Sequence, residues 1–344
     1  MYDPYSNTVQ EPDESQIQPQ TQEDCTQGDS ILENDIQVIT KIEKITDFAK
    51  YQIINNKLTE FKVAKNSEKY SQNIHQITQP PSPVDIATIN TGTPTCNIIP
   101  DTQSTYFLCK YPDIGKRTLS EYIKEVPKNI QRILDQHDQI LKTISNLANE
   151  KKLIHHAIQD TNIIVKSIDD IPMITNFKQA AFLYYEEAMN IDNFETIVIT
   201  ATEIHCLEAH ILVYLGNKKR QQTQSQQSQW KSTKYDQQQH TEAIQSHSQS
   251  SNQYPEYIDK TYEEVYRAIA KTFSKWDIYC ITKMFLNILS ELQQQNLELS
   301  KIESYKSTLE QLLSKKTFEL PNTLQINNEI LPIQVEPSNN PIIQ

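Results

Sequence analysis

Apolar side chains recur at spacings of three and four through Ile130, Ile133, Leu134, His137, Ile140, Leu141, Ile144, Leu147 and Ala148. That pattern predicts a helix of about five turns with one continuous apolar face, which needs a core to lie against. Ahead of it, Tyr106 to Tyr111 reads as a buried strand stopped by Pro112, with Gly115 supplying a turn. Thr118 followed by Glu121 has the spacing of a capping box, predicting a short helix that ends near Val126. Trp276 to Leu289 is apolar on nearly every side, as in a helix buried all round, with Ser274 and Asp277 read as its capping residues. A further amphipathic helix is predicted over about 301–313, carrying Ile302, Tyr305, Leu309, Leu312 and Leu313 on one face. Glu208 to Gly216 reads as a short helix stopped by the glycine. The groups Ile36, Val38, Ile39 and Tyr51, Ile53, Ile54 are consistent with strands and a hairpin turning at Asn55-Asn56-Lys57, with a helix as the alternative over 36–49.

Between these segments the chain is polar. Residues 1–30, 217–259 and 317–344 are dominated by Gln, Ser, Asn, Glu and Pro, compositions that bury too little apolar surface to offset chain entropy, so a disordered tail, insert and second tail are expected. Only 37% of the chain is hydrophobic and its mean hydropathy is -0.61, which concentrates the core in the patterned segments. A net charge of -12 argues against nucleic acid or an anionic membrane as partner, since both require a basic footprint. The five cysteines (Cys25, Cys96, Cys109, Cys206, Cys280) are scattered and odd in number, favouring a reducing, intracellular setting. No apolar run is long enough to cross a bilayer.

The chemistry-bearing block lies at 153–178. It reads Leu-Ile-His-His-Ala-Ile-Gln-Asp-Thr-Asn-Ile-Ile-Val, a polar turn, then Pro-Met-Ile-Thr-Asn-Phe-Lys. This block resembles the catalytic loop and magnesium loop of the eukaryotic-type protein kinase family. The order of strand, short helix, long helix, loop and buried helix resembles it too, as do Glu203 in Thr202-Glu203-Ile204-His205 and the run Trp276-Asp277-Ile278-Tyr279. The looser spelling is similar to divergent kinase-like proteins of large DNA viruses. The resemblance implies an α+β, protein-kinase-like two-lobed fold: a reduced N-lobe sheet over 31–111 and a mainly helical C-lobe over 112–316 that carries the insert.

The same resemblance implies a degenerate active site. Ala157 stands where the family has the Asp that accepts the substrate proton, and Gln159 where it has the loop Lys. Asn176 replaces the magnesium-binding carboxylate and Lys178 the flexible glycine, while Asn162 keeps the second metal ligand. Residual, weak ATP and magnesium binding would rest on Asn162 and Asn176. The Gly-rich phosphate loop is missing, since the only glycine at a plausible position upstream of the hinge is Gly28, inside the expected tail; the Val-Ala-Ile-Lys strand is missing too, its nearest candidate being Lys41 in Val38-Ile39-Thr40-Lys41-Ile42, without a recognisable partner Glu. The expectation is a catalytically inactive, kinase-like protein without a resident cofactor. It would work by binding protein, as a scaffold, allosteric partner or decoy for an active kinase or its substrates, in the cytoplasm, or for a viral member the host cytoplasm or virion. Two alternatives stand beside it: an atypical but active protein kinase or other nucleotide transferase using Asp160 or Asp170 as a displaced acid, and a non-kinase helical adaptor lacking the hinge and cleft. His155 is read as the loop's internal anchor rather than a metal ligand. His205, Cys206 and His210 lack the second ligand pair that zinc requires. Tyr184-Tyr185 is read as a half-buried aromatic pair, with phosphorylation as the alternative.

Overall fold

The computed structural model describes residues 26–33, 36–45, 48–62, 73–77, 82–84, 105–126, 130–177, 180–182, 205–221, 227–244, 255–294 and 300–315, with 317 and 320. The first strands are β1 (Thr26–Glu33) and β2 (Ile36–Lys44), followed by the helix α1 (Phe48–Lys62) and the strands β3 (Ser82–Val84) and β4 (Tyr106–Pro112). The four strands form one antiparallel sheet in the order β1-β2-β4-β3, with Lys41 of β2 opposite Cys109 of β4. Helix α1 lies on one face of this sheet, where Ile45, Tyr51, Ile77, Phe107, Cys109 and Tyr111 form a small core and Phe48 stacks flat on Phe107.

The chain then runs through α2 (Leu119–Glu125) and the long α3 (Ile130–Lys151) to three short pieces: β5 (Leu153–Ile154), a 3-10 turn at Asp160–Asn162 and β6 (Ile163–Val165). Strand β7 (Pro172–Ile174) pairs antiparallel with β6, and β8 (Ala181–Phe182) with β5. Five further helices follow among the described residues: α4 (Leu207–Arg220), α5 (Gln227–Trp230), α6 (Gln237–Ile244), α7 (Tyr262–Ala270) and α8 (Phe273–Gln294). The last described helix is α9 (Ser300–Ser314). The chain is thus α+β and mostly helical in its described part. None of its described helices is long and apolar enough to cross a membrane.

The main core gathers the predicted stripe of α3 (Ile133, Leu134, Ile140, Leu141, Ile144, Leu147), the apolar faces of α8 and α9, and Ile54, Leu58 and Phe61 of α1. Helix α1 therefore belongs to both cores, Tyr51 to the sheet and its next two turns to the helices. Asn73 joins the layers: its backbone carbonyl accepts from Ile174 N at 2.7 Å, and its Nδ2 donates to Pro172 O at 2.8 Å. His75 N donates to Ile174 O, while its Nε2 bonds Pro112 O at the end of β4.

Several expectations require correction. The hairpin turn expected at Asn55-Asn56-Lys57 is the middle of α1. Tyr51, Ile54, Leu58 and Phe61 follow the helical spacing, and burying that face outweighs the weak helix propensity of the two asparagines. Strand β1 begins at Thr26, inside the expected disordered tail, because pairing with β2 supplies its backbone partners. Over the described part of 217–259 the expected disordered insert is folded: α4 continues past the buried Gly216 to Arg220, and α5 and α6 follow. Trp230, Tyr235, His240, Ala243, Ile244 and Tyr257 are all buried there. A few large aromatic residues dispersed among glutamines bury enough surface to organise the segment. At the far end, Thr317 Oγ1 donates to Glu208 Oε2 at 2.9 Å and Leu320 is buried, so packing extends a few residues into the expected tail. The capping box of Thr118 and Glu121 forms as predicted, and a second, Thr261 with Glu264, starts α7.

Candidate functional site

The loop from His155 to Asn162 leaves β5 and is held from below by α8. Asp277, only 1% exposed, accepts His155 N through Oδ2 at 2.6 Å and His156 N through Oδ1 at 2.9 Å. One buried carboxylate thus satisfies two successive backbone donors of the loop, an arrangement that orients the chain and stabilises the ionised group. Burial nevertheless raises the Asp277 pKa to about 6, against the lowering effect of those two bonds. Asp277 is therefore not the helix cap expected from sequence. Helix α8 starts at Phe273, and near its start Thr272 Oγ1 accepts Trp276 Nε1 at 2.9 Å.

His155 is fully buried. Its Nδ1 accepts from Ala157 N at 3.2 Å, so the ring proton sits on Nε2 and is donated to Thr175 O at 2.7 Å. Its ring meets Phe177 edge to face at 4.7 Å. Burial lowers the His155 pKa to about 4, consistent with the neutral tautomer that both bonds require. His156 adopts a left-handed backbone (φ 63) that turns its ring toward Trp276 and Phe273, both met edge-on; neither ring nitrogen has a hydrogen-bond partner. Burial lowers its pKa to about 3. His205 Nε2 donates to His156 O at 3.2 Å.

Of the positions singled out from sequence, Ala157, Asn162 and Asn176 lie on or beside this loop. Ala157 is buried in the loop, where its methyl group offers no proton acceptor. Asn162 and Asn176 are brought together, because β6 and β7 form a hairpin that lays Thr175 and Asn176 beside the loop; Thr175 N donates to Asn162 O at 2.9 Å. Asn162 Nδ2 donates to Ala157 O at 2.7 Å, and Asn176 Nδ2 donates to Asn162 Oδ1 at 3.2 Å. Asn176 is exposed, with a left-handed backbone (φ 62). Gln159 is partly exposed at the start of the 3-10 turn, and Lys178 lies outside the described residues, as do Glu203, Tyr184 and Tyr185. Magnesium does not fit this pair as it stands: the Asn162 oxygen that would ligate a cation already accepts an N–H, and neutral amides are weak ligands for it. Among the described residues no group of three or more His, Cys, Asp and Glu side chains is placed to hold a metal ion.

The proposed displaced acids are committed elsewhere. Asp160 Oδ1 accepts Ser120 N at 2.7 Å in the first turn of α2, and Asp170 pairs with Arg117 at 2.7 Å and Arg132 at 3.4 Å. On the sheet, Gly28 falls where the β1-β2 register shifts between Gln27 and Ile31. Lys41 shares a sheet face with Glu43, since alternate residues of a strand point the same way. Glu43 is buried, accepting Tyr111 Oη through Oε1 at 3.0 Å and facing Tyr51 Oη at 3.5 Å, while the two hydroxyls are 2.9 Å apart. Desolvation, with the Glu43 charge second, raises the pKa of both tyrosines, so both remain protonated donors at neutral pH.

The roles of two residues, Asp277 and Glu43, were missed by sequence reasoning. Asp277 had a signal, since a carboxylate inside a helix apolar all round must find internal partners. Glu43 had none, because its tyrosines come from α1 and β4. No protein-family model matches the chain, and no curated protein matches it in sequence.

Proposed function

We propose that the chain is a pseudokinase, a protein of kinase-like two-lobed architecture that has lost phosphotransfer and acts by binding protein. The observation that carries this reading is the loop at 155–162, fastened to the buried helix α8 through Asp277 and bearing Ala157 where a proton acceptor would be needed. Support also comes from the order of elements: sheet strand β4, short α2, long α3, loop, hairpin, and α8 beneath the loop. That order is the one the resemblance implies. A helical adaptor without a cleft would have no reason to anchor such a loop on a central helix, and a displaced-acid enzyme would need Asp160 or Asp170 freed from its present partners. The partners in this reading are an active kinase or its substrates, engaged by the folded surface.

Thermal unfolding of the purified chain with ATP, with and without magnesium or manganese, tests the reading. A ligand that binds only the native state raises Tm by an amount set by its concentration over Kd. The expected outcome is no nucleotide-dependent shift and no transfer of labelled phosphate to a generic substrate. A metal-dependent shift accompanied by phosphotransfer that Asn162→Ala or Asp160→Ala abolishes would overturn it.

A further inference from the structure

We infer that the amide pair Asn162–Asn176 is a cation-free clasp, which does by hydrogen bonding what a divalent cation would otherwise do between the loop and the β7 exit, and that Asn176 alone keeps a latent cation site closed. The inference rests on the reading of this cleft given above and concerns how it is held shut.

The direction of the bonds is determined by the backbone. Ala157 O can only accept, so the Asn162 atom 2.7 Å from it must be Nδ2. The remaining atom, Oδ1, then faces Asn176 and can only accept, so Asn176 must present its N–H at 3.2 Å. Asn162 is buried, and its own carbonyl is also taken, by Thr175 N at 2.9 Å and Thr175 Oγ1 at 3.2 Å. The chain Asn176 to Asn162 to Ala157 therefore has one polarity and admits no flipped amide.

A single atom makes the difference. Asn176→Asp replaces the donating nitrogen by a carboxylate oxygen of nearly the same shape and leaves two oxygens about 3 Å apart. Without a cation they repel. With one they are well spaced, because ligands at about 2.1 Å in an octahedral shell lie about 3 Å from their neighbours. The exposed side of Asn176 leaves room for the waters that complete such a shell. Asn176→Gly removes the donor without adding an oxygen and accepts the left-handed backbone at this position (φ 62) without strain, so it creates neither repulsion nor a site.

Thermal unfolding of the full chain and of the two variants, in chelator and then in millimolar manganese or magnesium, reads this directly. The wild type and Asn176→Gly are expected to ignore the metal. Asn176→Asp is expected to melt several degrees below Asn176→Gly in chelator and to rise above it once metal is added. If it does not fold in chelator, refolding in manganese should recover it, and failure to refold there overturns the clasp. An Asn176→Asp protein as stable as Asn176→Gly in chelator, or one with no response to metal, also overturns it. A wild-type response to ATP with metal would instead refute the inactive-cleft reading, so the two failures are distinguishable.

Discussion

Single side chains carry most of the order at the candidate site. Asp277 is the clearest case: Asp277→Asn would turn one of its two acceptors into a donor pointed at a backbone N–H. The expected loss is about 3 kcal/mol of folding stability, read from urea denaturation, with the 155–162 loop losing protection in hydrogen exchange. On the proposed pseudokinase reading, Ala157→Asp adds a carboxylate but no metal ligand, so phosphotransfer should stay at background in an assay with labelled ATP. That position 157 carries no proton acceptor was legible from sequence, because it is a matter of residue type alone. The role of Asp277 was not, because its partners His155 and His156 lie more than a hundred residues away.

At the scale of elements, the patterned helices formed where their periodicity put them. The predicted stripe of α3 supplies Ile133, Ile140, Ile144 and Leu147 to the core, and the face predicted for α9 supplies Tyr305, Leu309, Leu312 and Leu313. Capping is also local: Thr118→Ala should cost about 1 kcal/mol, measured as a shift in the denaturation midpoint without a change in slope. Helix α1 was misread because its Asn55-Asn56-Lys57 segment is a good turn in isolation, and only the two cores it joins make it helical. Its hold on the sheet passes through Glu43, so Tyr111→Phe, which removes a donor from a buried carboxylate, should cost roughly 1–3 kcal/mol. That loss should appear in equilibrium unfolding, with the slope again unchanged. Helices α5 and α6 were hidden by composition: glutamine and serine dominate the count, while Trp230 and Tyr235 determine the packing. Limited proteolysis should accordingly spare 227–244.

For the whole molecule, acid is the condition to watch. Burial holds His137 and His156 to a pKa of about 3 and His155 to about 4, all below the ordinary 6.5. A histidine with a depressed folded pKa contributes stability that is present above 6.5 and lost as pH falls below it. Asp277 has the opposite sign, since its folded pKa of about 6 exceeds the ordinary 3.8; it contributes stability below 3.8 that is lost as pH rises through 6. The three histidines outweigh the one carboxylate, so the chain should lose about 3 kcal/mol between pH 7.5 and 5.5. Urea midpoints at the two pH values check this, and His156→Phe, which keeps a ring in the same apolar pocket, should flatten the dependence. By itself, then, the sequence determined what depends on neighbours along the chain: the stripes of α3, α8 and α9, the cap at Thr118, and the presence of neutral side chains at 157 and 176. Tertiary structure alone decided what depends on distant partners. It made α1 a helix, drew the glutamine-rich segment into the core, set Asp277 under the loop and joined Asn162 to Asn176, because each of these is stabilised by burial or hydrogen bonds from groups far away in sequence.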